Sequence, residues 1–98
     1  MNYKVIKPTI IDIKSLTEEI IGNSKYNLIL DIAELPISEK EIKELYNFYT
    51  KNDTNGTSFV VINKEISLDN LPEALNVVPT FQEATDLIDL EEMMRDLG

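Results

Sequence analysis

The chain has no Cys, no His and no Trp among its 98 residues, and it holds only three Gly. Without Cys it can form no disulfide and no thiolate metal site, and it has no cysteine nucleophile. Without His it lacks the commonest general base and the usual zinc ligand. Three scattered glycines cannot form a phosphate-binding glycine loop. We therefore expect no enzymatic activity, no metal and no cofactor.

Long apolar runs are also missing. No run approaches the roughly 18 residues of a membrane-spanning helix, and we do not expect the N-terminal residues to form a secretory signal. The composition, 43% hydrophobic and 28% charged, is typical of a globular chain. Its length suits one domain over residues 1–98. We expect a cytoplasmic protein with no membrane partner.

Basic residues are scarce, with nine Lys and Arg against eighteen Asp and Glu, and the formal charge is -9. Residues 1–64 contain nine acids and eight bases, whereas residues 65–98 contain nine acids and only Arg95. The excess of acid disfavours binding to nucleic acid. The acidic part is either a solvated helix face or a docking helix for a basic partner. The predicted acidic docking helix carries Glu83, Asp86, Asp89 and Glu92.

Short runs of apolar, aromatic and β-branched residues predict the strands. They cover residues 3–6, 10–13, 27–32, 58–63 and 76–78. The first two form either a hairpin or one edge strand interrupted at Pro8. The run at 27–32 is almost continuously apolar, which suits a strand buried on both faces.

Three matches to the capping-box pattern, a Ser or Thr followed three residues later by Glu, predict helix starts. They lie at Ser15, Ser38 and Thr80. A short helix is also expected over residues 67–75. The helix after Thr80 is long and carries a broad apolar stripe: Phe81, Ala84, Leu87, Ile88, Leu90, Met94 and Leu97. The alternation predicts an α/β domain with a mixed sheet of four to five strands, helices packed against it and a long C-terminal helix.

The apolar run at 27–32, the helix opened by Ser38 and the run at 59–63 resemble the core of STAS domains (sulfate transporter and anti-sigma factor antagonist). Residues 75–84, where a short strand leads into a last helix containing Glu83 and Ala84, are similar to the family's closing stretch. The resemblance implies a bacterial regulatory module that acts by protein binding. It also implies an anti-sigma factor or a kinase-like protein as the class of partner.

In anti-sigma factor antagonists, a Ser or Thr at the start of the helix after the second central strand is phosphorylated. Ser38 has a similar position, which makes it the candidate phosphoacceptor. The family's run is Asp-Ser-(Ser/Thr)-Gly, whereas this chain reads Pro-Ile-Ser-Glu at 36–39, so a module without the switch is equally open. From the residues alone, Ser38 is a helix N-cap worth about 1 kcal/mol. The predicted binding surface comprises Asp31, Ser38, Glu39 and Ile42.

The ending at 75–98 also resembles small proteins from Bacteroidetes-type bacteria that often carry the label ribonuclease Z. That activity needs a histidine-rich dinuclear zinc site, which a chain without His cannot supply. Two alternatives to the interaction module stay open. One is a module that binds a nucleotide or a lipid, with its pocket at the strand ends near Asp31 and Ser38. The other is an accessory protein to a ribonuclease encoded nearby.

Overall fold

The computed structural model describes residues 3–23, 25–52, 56–65 and 76–97. Over these residues, strands and helices alternate along the chain up to β3, and β4 is the next described element. The elements are β1 (Tyr3–Ile6), α1 (Ile13–Gly22), β2 (Asn27–Asp31), α2 (Glu39–Asn52), β3 (Phe59–Ile62), β4 (Val77–Val78) and α3 (Phe81–Leu97). The predicted α/β class and the long C-terminal helix are confirmed. The helix predicted over residues 67–75 lies outside the described residues.

The four described strands form one sheet in the order β1-β2-β3-β4. All three pairings are parallel, with Val5 opposite Ile29 and Ile29 opposite Val60. The sheet therefore has the predicted number of strands and is parallel rather than mixed over these residues. Its central strands are covered on both faces, which explains the continuous apolar run in β2. The carboxyl ends of the strands share one edge, the carboxyl edge, and their amino ends share the opposite amino edge.

Both arrangements predicted over residues 3–13, a hairpin and one edge strand interrupted at Pro8, are wrong, because β1 is the only strand in this range. The chain leaves β1 before Pro8, which has no N–H to donate to a strand ladder, and α1 begins at Ile13. The helix thus starts before Ser15, whose Oγ donates a hydrogen bond to Oδ2 of Asp12 at 3.0 Å. Helical spacing wins over β propensity here because Leu16, one turn after Ile13, is buried in the core.

Helices cover the two faces of the sheet unequally. α1 and α2 pack together on one face, where the larger core contains Ile6, Leu16, Ile20, Leu28, Leu30, Ile32, Ile42, Leu45, Tyr49, Phe59, Val61 and Val77. Among the described elements, only α3 contributes helical residues to the core of the other face, which contains Ile29, Val60, Ile62, Ala84 and Ile88. The described part is therefore a three-layer α/β/α arrangement with a single helix in its third layer.

Candidate functional surfaces

Ser38 stands immediately before α2 and is exposed. Its Oγ accepts a hydrogen bond from the backbone N–H of Glu41 at 3.1 Å and donates one to Oε1 of Glu41 at 3.0 Å. The same carboxylate oxygen accepts the backbone N–H of Ser38 at 3.0 Å. This reciprocal set is the predicted capping box. The need to cap the start of α2 therefore explains why Ser and Glu occupy positions 38 and 41.

The surroundings of Ser38 are acidic, because Glu39 and Glu41 lie in the first turn of α2. A phosphate on the hydroxyl would gain from the helix N-terminus, but it would stand against the carboxylate that the hydroxyl now contacts. The start of α3 repeats the same chemistry, since Thr80 Oγ1 donates to Glu83 at 3.0 Å and accepts its N–H at 3.2 Å. The geometry at Ser38 is thus that of an ordinary helix cap.

The other three residues of the predicted binding surface have different environments. Asp31 ends β2, is half-buried, and accepts the backbone N–H of Ala33 at 3.3 Å. Glu39 is half-buried. Ile42 is only 1% exposed, because it belongs to the face of α2 that packs on the sheet. Its side chain therefore offers no surface to a partner, and the prediction that it does is wrong.

A cavity of about 310 Å³ opens at the carboxyl edge, beside the ends of β1 and β2. It is lined by Lys7, Pro8, Asp31, Ile32, Ala33, Glu34 and Leu35. Asp31 thus lines a pocket at the strand ends, whereas Ser38 is not among the lining residues. The amide of buried Asn63 fixes the loop after β2 by donating to the carbonyls of Ile32 and Leu35, each at 3.0 Å.

An ion pair lies beside this cavity. Lys64 Nζ donates to Oε1 of Glu34 at 2.6 Å. The Glu34 carboxylate raises the pKa of Lys64 above its ordinary 10.5, first through this hydrogen bond and then through its negative charge. Both side chains are largely exposed, so solvent screens the pair.

A polar network at the amino edge joins α3 to β2 and to the residue before β3. Asn27 Oδ1 accepts the backbone N–H of Ser58 at 2.8 Å, and its Nδ2 donates to Glu92. The Arg95 guanidinium donates to Ser58 Oγ at 3.0 Å and to Asn27 Oδ1 at 3.4 Å. Nearby, Asn76 donates to Glu91 at 3.2 Å. Glu92, predicted to lie on the docking helix, is therefore engaged in a structural network.

The sequence pattern did not predict this network. Two clefts border it, of about 450 and 350 Å³, and both are lined by Gly56, Thr57 and Arg95. Gly56 has φ +68, in the left-handed region that favours glycine. The only local signal was Arg95, the single base in an acidic third of the chain. Acids and the arginine guanidinium lie together at this edge, so it shows no charge of one sign.

The apolar stripe predicted along α3 lies on two opposite sides of the helix. Ala84 and Ile88 are buried against the sheet, whereas Leu90, Met94 and Leu97 are 52%, 62% and 88% exposed. Met93, which the predicted stripe did not include, lies beside them and is 61% exposed. At 3.6 residues per turn, these four exposed residues share one side, roughly opposite Ala84 and Ile88. We call them the outer row. It exists because the stripe is wider than the surface that the sheet offers to a single helix.

Acids surround the outer row. By helical position, Glu83 and Asp86 lie on the same side one to two turns earlier, and Asp89 and Asp96 lie along one flank. All four are exposed. Three members of the predicted docking helix, Glu83, Asp86 and Asp89, therefore share an exposed acidic surface with the outer row, and Glu92 does not.

Other kinds of site can be assessed over the same residues. Within the described ranges, no three His, Cys, Asp or Glu side chains come together in a way that could hold a metal ion. Every buried side-chain nitrogen or oxygen there has a hydrogen-bond partner. No helix of the described part is long and apolar enough to cross a membrane. Comparison of the chain with protein-family models, with curated proteins and with solved structures finds no match.

Proposed function

We propose that this protein is a non-enzymatic interaction module, a cytoplasmic regulator that resembles anti-sigma factor antagonists and works without a phosphorylation switch. One observation carries the proposal: the exposed outer row of α3. Apolar side chains gathered on a surface are costly in water, and contiguous groups of them mark binding sites. Four such residues on one side of a single helix have no role in the described core.

The resemblance to STAS domains supports the same function. Ser38 stands at the start of the helix that follows β2, and the short strand β4 leads directly into α3 with its Glu83 and Ala84. The partner class that the resemblance implies is an anti-sigma factor or a kinase-like protein. The absence of a switch is supported by the capping box, because phosphorylation would place the phosphate against Glu41.

Affinity capture with the full chain from native cells, read by quantitative mass spectrometry, tests the proposal. The baits are the wild type, Leu97→Glu in the outer row, Phe48→Glu on α2, and Ile10→Glu as a matched control. Phe48 is 43% exposed and lies on the helix that Ser38 opens. Ile10 is 69% exposed and lies outside both helices. We expect a protein that the wild type and Ile10→Glu recover equally and that Leu97→Glu or Phe48→Glu loses.

The same samples also show whether Ser38 is phosphorylated and whether the partner is a ribonuclease. Circular dichroism must first show that all four baits fold alike. Absence of any protein meeting these terms would contradict the interaction module. Stoichiometric phosphate on Ser38 would overturn the unswitched form of the proposal. A ribonuclease as the specific partner would select the accessory role.

The small-ligand function is the second candidate, favoured by the 310 Å³ cavity at the carboxyl edge. The charged side chains in its wall are Lys7, Asp31 and Glu34. Thermal-shift measurements with nucleotides and with lysolipids would test it. The hypothesis expects a rise in melting temperature that Lys7→Ala diminishes and that Lys14→Ala, an exposed change on α1, leaves unchanged. No rise with any of these ligands would count against it.

A further inference from the structure

We infer that the outer row of α3 binds a basic amphipathic helix of the partner protein. This inference rests on the proposed function and specifies the chemistry of the partner. Three observations support it: the spacing of the exposed apolar side chains, the acids beside them, and the hydrogen bonds that hold the one base of α3, Arg95, at the amino edge.

The spacing fits a helix lying along α3. Leu90, Met93, Met94 and Leu97 follow the i, i+3, i+4, i+7 pattern by which helices present their apolar anchors. At 1.5 Å per residue, the row extends for about 10 Å, or two turns. Two of its four members are methionines, whose flexible thioether side chains adapt to the surface they meet. A partner helix of two to three turns can therefore cover the row.

The charge around the row selects a basic partner. α3 contains six acids and one base, a net charge of -5. That base, Arg95, donates to Ser58 and Asn27 at the amino edge, where it shares the lining of one cleft with Met94. Because its guanidinium is hydrogen-bonded there, the exposed charged residues beside the row by helical position are four acids: Glu83, Asp86, Asp89 and Asp96. Lysines or arginines beside the apolar face of the partner would meet these carboxylates and speed the encounter.

The same charge disfavours two other occupants. In a dimer of this chain formed through the row, two helices of net charge -5 would face each other, and like charges across an interface are repulsive. An anionic membrane surface would be repelled for the same reason. A basic helix is the occupant for which the apolar contact and the charges are both favourable.

Fluorescence anisotropy with two designed peptides tests the inference. One labelled peptide carries Leu at i, i+3, i+4 and i+7 with Lys elsewhere, and the other has the same Leu pattern with Glu. We expect the Leu/Lys peptide to bind the full-length protein, and to bind more weakly as salt rises. The Leu/Glu peptide is expected not to bind. No binding of the Leu/Lys peptide, or equal binding of the two, would overturn the inference.

Variants locate the binding. Leu90→Ser/Leu97→Ser is expected to weaken binding of the Leu/Lys peptide at least about tenfold, as loss of interface anchors does. Asp89→Asn/Asp96→Asn keeps the apolar row. It is expected to weaken peptide binding about threefold and to reduce the dependence of binding on salt. Ile10→Ser, the matched loop control, leaves affinity unchanged. If neither the leucine variant nor the aspartate variant weakens binding, the peptide binds elsewhere by general charge, and the inference fails.

Sedimentation and lysate capture separate the remaining outcomes. A wild-type dimer that Leu90→Ser/Leu97→Ser dissociates would assign the row to a second copy and overturn the inference. Binding of the wild type to anionic vesicles, lost in the same variant, would assign the row to a membrane and would also overturn the inference. The third outcome is that lysate capture recovers a specific partner that Leu97→Glu retains and Phe48→Glu loses. That result would overturn this inference and would still support the interaction module.

Discussion

The two sides of α3 look alike in sequence but lie in opposite surroundings. One side, with Ala84 and Ile88, is fully buried against the sheet, whereas the other carries Leu90 and Leu97 in the open. α1 and α2, on the opposite face of the sheet, bury one side and turn mostly charged or polar residues outward. The difference shows that apolar content in a helix need not serve the core. In α3, one side stabilises the core, and we propose that the opposite side binds a partner.

The largest expected effect tests this division within α3 itself. Ile88→Ala removes a fully buried side chain and should lower the free energy of unfolding by about 2–5 kcal/mol. Leu90→Ala, two residues later on the exposed side, should change it by less than about 0.5 kcal/mol. Urea unfolding followed by circular dichroism measures both. Similar losses for the two variants would show that the outer row belongs to the core.

The next largest loss of stability is expected from breaking the amino-edge network that holds the end of α3. Asn27→Ala leaves the backbone N–H of buried Ser58 without its acceptor, so we expect a loss of about 1–3 kcal/mol. Glu92→Gln keeps a carbonyl oxygen for Asn27 Nδ2 and should cost clearly less. The comparison uses the same urea measurement. An equal loss for both variants would place the importance of the network in the charge of Glu92.

Removing either of two equivalent helix caps is expected to have a smaller effect on stability. Ser38→Ala and Thr80→Ala should each lower stability by about 1 kcal/mol, because each removes a side-chain acceptor for an N-terminal N–H. If Ser38 is only a cap, Ser38→Ala retains the partner found by affinity capture. Loss of that partner by a fully folded Ser38→Ala would identify Ser38 as a switch.

The smallest effect concerns the exposed pair of Lys64 and Glu34. Because the pKa of Lys64 is higher in the folded state than its ordinary 10.5, the folded protein holds this proton more tightly than the unfolded chain does. The resulting stabilisation is complete below pH 10.5 and is lost as the pH rises through the folded value. Wild type and Lys64→Gln should therefore differ slightly at neutral pH and converge well above 10.5. A constant difference would exclude this linkage.

Local chemistry explains what could be predicted from the sequence. The strand runs at 27–32 and 58–63 stood out because strands covered on both faces need apolar residues at successive positions. The starts of α2 and α3 were readable because a capping box joins residues only three apart. The box predicted at Ser15 failed because burial of Leu16, with Ile13 one turn earlier, begins α1 sooner.

Contacts between distant parts of the chain explain what could not. The network of Asn27, Ser58 and Arg95 joins residues that are 31 to 68 positions apart. Periodicity also places apolar residues around α3 without saying which of them faces the sheet. Ile42 shows the reverse case, because its place next to an exposed cap suggested a surface, while helical spacing carried it into the core.

The central claim, that the outer row is a binding surface, can be tested directly with methionine methyl NMR. The chain has three methionines, and two of them, Met93 and Met94, lie in the row. In ¹³C-methyl-labelled protein titrated with the Leu/Lys peptide, we expect saturable shifts of the Met93 and Met94 signals. Met1 serves as an internal reference, and we expect no shifts with the Leu/Glu peptide. Unchanged Met93 and Met94 signals at peptide saturation would contradict the claim.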